Sequence, residues 1–157
     1  MLRLSITPLI LFSLLVFPSS KKESVDDFWA EVSRVVAEGD FEGYSATYHS
    51  DAILVNGMSE TSYPISNALA GWKQGFDDTK AGKMKAGVDF KFSERLHSET
   101  TAHDTGIFKY FWQNEGEEMQ YILIHFQGLL IKASGEWKMM MEYQISHATE
   151  EEWDAMD

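Results

Sequence analysis

Three long strand-like runs follow one another between residues 101 and 146, and they constrain the fold of this chain more than any other feature. The last two are joined by Ala133-Ser134-Gly135-Glu136-Trp137-Lys138, a turn that feeds a tryptophan into a methionine-rich strand. Everything before them reads as helix, helix, short strand, helix. Short amphipathic helices followed by long antiparallel strands imply an α+β domain in which the helices lie across one face of a bent sheet. The expected form is a cone-shaped roll, with N-terminal helices on the concave face of a strongly curved, mainly antiparallel sheet. A sheet roofed in this way makes a cup.

The helices are marked by their ends. Ser24-Val25-Asp26-Asp27 has the form of a capping box, and Phe28, Val32 and Val35 then recur at helical spacing beside Trp29 and Val36 until Gly39 stops the run. Asp40 caps a second helix, expected to reach Tyr48. A short strand over 52–55 precedes an Asn56-Gly57 turn. Pro64 opens a third helix with the stripe Ile65, Leu69, Trp72, Phe76. Within it Gly71 and Gly75 suggest close packing on a sheet. From Met84 the period changes to two, with Val88, Phe90 and Phe92 alternating with polar residues. In the run 121–131 both faces are apolar: Tyr121, Leu123, Leu129 and Ile131 on one, Ile122, Ile124, Phe126 and Leu130 on the other. Such a strand needs two covers, and the expected second cover is another copy of the chain. A final capping form, Thr149-Glu150-Glu151-Glu152, predicts a short C-terminal helix through Trp153.

A chain of 157 residues suffices for one domain with a stable core. With no cysteine, disulfides, thiolate nucleophiles and Cys-based zinc sites are excluded. The net charge of −12 repels phosphate backbones and anionic headgroups, which argues against nucleic-acid partners and against membrane binding by the mature domain. Residues 1–20 carry Arg3 as their one charge, then an apolar run from Leu9 to Phe17 and the break Pro18-Ser19-Ser20, the layout of a secretory signal peptide. The expectation is export, secreted or periplasmic, with the domain occupying 21–157 and an uncleaved N-terminal anchor or a buried helix as the alternatives.

Two stretches carry a family resemblance: Glu38-Gly39-Asp40-Phe41-Glu42-Gly43 followed by Tyr48-His49-Ser50-Asp51-Ala52, and Gly135-Glu136-Trp137-Lys138 leading to Glu142-Tyr143. They resemble the nuclear transport factor 2-like superfamily, which includes SnoaL-like and ketosteroid-isomerase-like proteins. The resemblance implies a cone with an apolar pocket and a homodimer through the outer sheet face. It implies no fixed chemistry and no cofactor. The ketosteroid-isomerase positions fall at Val32, Asn56 and Gln127, and neither a valine nor an amide performs the roles of oxyanion donor and base that such a mechanism needs.

The five histidines, His49, His97, His103, His125 and His147, lack the spacing of a metal motif, so no metal site is expected. His125 lies in the middle of an apolar strand, where a histidine bonded to a neighbour is the plainer reading and an acid–base role the sharper one. His103-Asp104 reads as a solvated turn. The residues expected to line the cup are Trp29, Tyr48, Asn56, Trp72, Tyr110, His125, Gln127, Met141 and Tyr143, with Met139 in its floor. Such a lining suits a small, largely apolar ligand with one or two hydrogen-bonding groups. Two other readings stand beside it: a SnoaL-like enzyme using His125 with Tyr48 or Glu142, and a protein-interaction module acting through the outer sheet face.

Overall fold

The computed structural model describes residues 24–156. The segment read as a signal peptide, residues 1–20, lies outside the described residues. Helix α1 (Val25–Glu38) starts where the capping box places it. Ser24 Oγ accepts the Asp27 amide at 3.0 Å while the Ser24 amide donates to Asp27 Oδ2 at 3.0 Å. A cap of this kind contributes about 1 kcal/mol. Gly39 ends the helix at φ +66, and a Cβ there would lie 2.4 Å from the Lys80 amide nitrogen, so glycine is required both by conformation and by the close approach of the third helix.

Helix α2 (Phe41–Ala46) is capped by Asp40 and stops two residues short of Tyr48. Tyr48 instead begins strand β1 (Tyr48–Asn56), which is longer than the four residues the sequence suggested. A short strand β2 (Thr61–Pro64), not legible in the sequence, turns back beside β1. Helix α3 (Ile65–Lys80) follows, then β3 (Met84–His97), β4 (Thr101–Asn114), β5 (Gln120–Ala133), β6 (Glu136–His147) and a short helix α4 (Glu150–Asp154). The six strands form one sheet in the order β2-β1-β6-β5-β4-β3. All pairs are antiparallel except β1 with β6, which run parallel.

Four irregularities in pairing bend this sheet: between Tyr48 and Ile53, Phe92 and Glu94, His125 and Phe126, and Leu129 and Leu130. Each bulge increases local twist and curvature, so the long strands wrap around the helices as the α+β cone requires. Phe28, Trp29, Val32 and Val36 of α1 pack with Leu54, Phe108, Ile124, Phe126 and Leu130 from the concave face. Burying each such side chain is worth about 1.5–3 kcal/mol. Gly128 belongs to this packing, because a Cβ there would meet the Trp29 ring at 3.0 Å.

The outer face is partly covered by the chain's own end. Lys91 Nζ donates to the Trp153 carbonyl at 2.9 Å and lies 4.8 Å from the centre of the Trp153 ring, while His125 Nε2 is 3.3 Å from Glu152 Oε1. Between Lys91 and His125 in the strand pairing sits Ile107, which is buried. Helix α4 thus supplies part of the second cover that the apolar outer positions require.

Candidate functional site

Between the helices and the concave face lies a cavity of about 700 Å³. Trp29, Val32 and Val36 close it from α1, Trp72 and Phe76 from α3, and Phe108, Ile124 and Phe126 from the sheet. Its rim carries the exposed side chains Met58 and Ile122, so it reaches the surface. Gly71 and Gly75 also line it. Contrary to the packing expected for them, a Cβ at Gly71 meets nothing within 4 Å and one at Gly75 meets only the end of Met84 at 3.6 Å.

One end of this apolar space is polar. Glu142 on β6 pairs across to Leu54 on β1 and is 8% exposed. The Tyr48 hydroxyl donates to Glu142 Oε2 at 2.5 Å, Gln144 Nε2 donates to Oε1 at 2.7 Å, and the Tyr44 hydroxyl lies 3.0 Å from that of Tyr48. Among the described residues no cation is hydrogen-bonded or ion-paired to this group of four. Burial therefore pushes the Glu142 carboxyl above the ordinary carboxylate range, and the bonds from Tyr48 and Gln144 offset only part of it. Burial likewise raises Tyr44 and Tyr48, with the nearby Glu142 charge adding to it.

Of the residues the sequence nominated, Trp29, Tyr48, Asn56, Trp72, Tyr110 and Glu142 line the cavity, as does Met139. His125, Gln127, Met141 and Tyr143 do not. His125 and Gln127 share the parity of Leu123 and Leu129, and the opposite parity, Ile124 and Phe126, faces inward. In β6 the bulge opposite Leu129 and Leu130 pairs Met139 with one and Met141 with the other, so Met139 and Glu142 face the cavity while Met141 and Tyr143 face out. His125 reaches Glu152 of α4 on the outer side and is separated by the sheet from the Tyr48–Glu142 pair. The ketosteroid-isomerase positions Val32 and Asn56 do reach the cavity, whereas Gln127 lies outside it, flanked by inward Phe126 and Gly128.

The sequence reading missed Tyr44 and Gln144 as parts of the polar end, and it missed Asp104. Far from a solvated turn, Asp104 is fully buried on β4. It accepts from Trp29 Nε1 at 2.6 Å, His97 Nε2 at 2.6 Å, and Arg95 Nε and Nη2 at 3.1 and 3.3 Å. Burial pushes its carboxyl up, but the bonds from Arg95, His97 and Trp29, with the Arg95 charge, outweigh burial and hold it below the ordinary range. The available signal was parity, since Asp104 alternates in step with Ala102, Gly106 and Phe108. Asp104 acts on the cavity only by fixing Trp29, one of its walls. Among the described residues no group of His, Asp and Glu side chains is arranged to hold a metal ion, and no helix is long and apolar enough to cross a membrane.

A bent sheet roofed by helices around an apolar cavity with one buried acid defines the cone-shaped class of small-molecule-sized cups. The model of the SnoaL-like domain matches residues 25–150, and the chain belongs to that family, within the nuclear transport factor 2-like superfamily. No curated protein matches the sequence. Among solved structures, a conserved protein from Planctomyces limnophilus is similar, with 12% identity, a TM-score of 0.64 and coverage of 76% of this chain and 91% of that one. A nuclear transport factor 2-like protein of unknown function from Shewanella oneidensis is 15% identical, with a TM-score of 0.56 over 76% of this chain and 93% of that one. A ketosteroid isomerase-like protein from Erwinia carotovora atroseptica is 15% identical, with a TM-score of 0.54 over 78% and 94%. At these identities the likeness concerns the fold.

Proposed function

We propose that this protein binds a small, largely apolar molecule in the cavity, with the ligand's one polar group directed at the Tyr44–Tyr48–Glu142–Gln144 end. The observation that carries this reading is a buried acid hydrogen-bonded only to neutral partners at one end of a cavity of about 700 Å³ whose other walls are mainly apolar. A carboxyl is costly to bury in such a place, and its position at the end of a ligand-sized space gives that cost a use. Thermal-shift screening of the protein against lipophilic compounds with and without a polar group tests it. Compounds with one polar end should raise Tm, since a ligand of the folded state stabilises it by mass action. Equal indifference to every compound in a broad panel would remove the reading.

A second reading is favoured by the same acid. With its carboxyl raised by burial and bonded to Tyr48, Glu142 has the environment of a general acid or base. In this SnoaL-like enzyme reading His125 has no part. Export on residues 1–20 and pairing of two copies through the outer face beyond α4, where Ile53 and Tyr121 are exposed, complete the proposal. Light scattering of the purified protein checks the pairing.

A further inference from the structure

The hydroxyls at the polar end form a chain, and chains of hydroxyls have a direction. Gln144 Nε2 only donates, so Glu142 Oε1 is held as an acceptor, and a proton on this carboxyl sits on Oε2, facing Tyr48. When Glu142 is ionised, Tyr48 spends its proton on Oε2 and its oxygen accepts the Tyr44 proton. Tyr44 then shows the cavity only lone pairs. When Glu142 is protonated, the chain reverses: Oε2–H donates to Tyr48, Tyr48 donates to Tyr44, and the Tyr44 proton becomes available to the cavity. Of the other hydroxyls that line the cavity, Thr47 donates to the Tyr44 carbonyl at 2.7 Å, Thr79 donates to the Gly75 carbonyl at 2.8 Å and Ser59 lies 2.8 Å from Thr61, while the Tyr110 phenol stands on β4 outside the chain of three.

Resting on the binding reading above, we propose that Glu142, Tyr48 and Tyr44 form a reversible relay, and that the ligand's buried end is an uncharged oxygen acceptor of the ketone or ester class, bound together with a proton. The ionisable groups facing Glu142 are Tyr44 from α2, Tyr48 from β1, Tyr110 from β4 and His147 on its own strand β6. Helices α1 and α3 and strands β3 and β5 present no ionisable side chain to the cavity. Of these, the hydrogen-bonded chain contains one carboxyl, Glu142, and the bound proton is assigned to it.

Acetylnaphthalene, an apolar ketone, and ethylnaphthalene, its counterpart of similar size without the oxygen, separate the possibilities. Binding is read from the fluorescence of the wall residues Trp29 and Trp72 and from Tm, between about pH 5 and about pH 9, a window above the ordinary glutamate value, as the upward shift of Glu142 requires. The ketone should bind roughly tenfold more tightly at the acid end, the worth of one hydrogen bond, while the hydrocarbon is insensitive to pH. Glu142→Gln, whose amide donates to Tyr48 at every pH, should hold the ketone tightly throughout. Tyr44→Phe should reduce ketone affinity to that of the hydrocarbon. Equal, pH-independent affinity for both probes overturns the relay and leaves the binding reading standing. So does pH dependence that survives Glu142→Gln, which would place the proton outside the chain. Failure of both probes to bind at any pH overturns both.

Discussion

Two carboxylates are buried among the described residues, and they are treated in opposite ways. Asp104 meets a guanidinium, an imidazole and an indole N–H; Glu142 meets a phenol and an amide. Burial pushes both upward, yet only Asp104 has a cation to reverse it. An acid with a cation is fixed as an ion and serves as a joint, tying α1 to β3 and β4 through Trp29 and Arg95. An acid without one is pushed toward its neutral form. The first is architecture, and the second is the acid on which the proposed binding rests.

The largest effect expected from this contrast is at Asp104. Asp104→Ala removes the buried acceptor shared by Trp29, His97 and Arg95 and leaves the Arg95 guanidinium with Asp26 alone, which should cost about 3 kcal/mol, as breaking a buried pair does. Chemical denaturation measures it, and a loss well under half that size would mean the joint is ornamental. Next is Arg95→Met, which leaves the aspartate buried with His97 and Trp29 but without its fixed charge. The Asp104 carboxyl should then move upward toward the behaviour of Glu142. In the native chain its lowered value gives stability that is present above the ordinary aspartate range and is lost as pH falls through the folded value. In Arg95→Met that loss on acidification should begin at a higher pH; an unchanged acid limb of the stability curve counts against the assignment.

The smallest effect has the opposite sign. Because Glu142 is raised, its protonated form favours the folded state, and this contribution is full below the ordinary glutamate value and lost as pH rises through the folded value. Glu142→Gln should therefore raise Tm by a few degrees above neutral pH and leave it nearly unchanged in mild acid. A uniform Tm change at all pH values would show that packing, not charge, separates the two variants.

Much of the frame was legible in the residues. Ser24, Gly39, Asp40 and Thr149 end or begin helices by local hydrogen bonds and backbone conformation, and local chemistry does not wait for the rest of the fold. The alternation in β5 separated its two faces correctly. Which face is inside was not legible there, since Leu123 and Ile124 are equally apolar, and His125 and Gln127 were therefore assigned to the cup. In β6 a bulge changes parity between Met139 and Met141, a displacement that exists only in the pairing with β5. Asp104 looked like a turn residue because its cation, Arg95, and its indole, Trp29, come from other elements.

The sequence alone determined most of the helices and strands, their roofed-sheet arrangement and the apolar character of the space inside, because periodicity and caps act over a few residues. The tertiary structure alone decided which acid is silenced and which is poised. That choice depends on partners that are 94 residues apart for Tyr48 with Glu142 and 75 apart for Trp29 with Asp104, and the charge state of a buried carboxyl is set by what folding brings within hydrogen-bond reach.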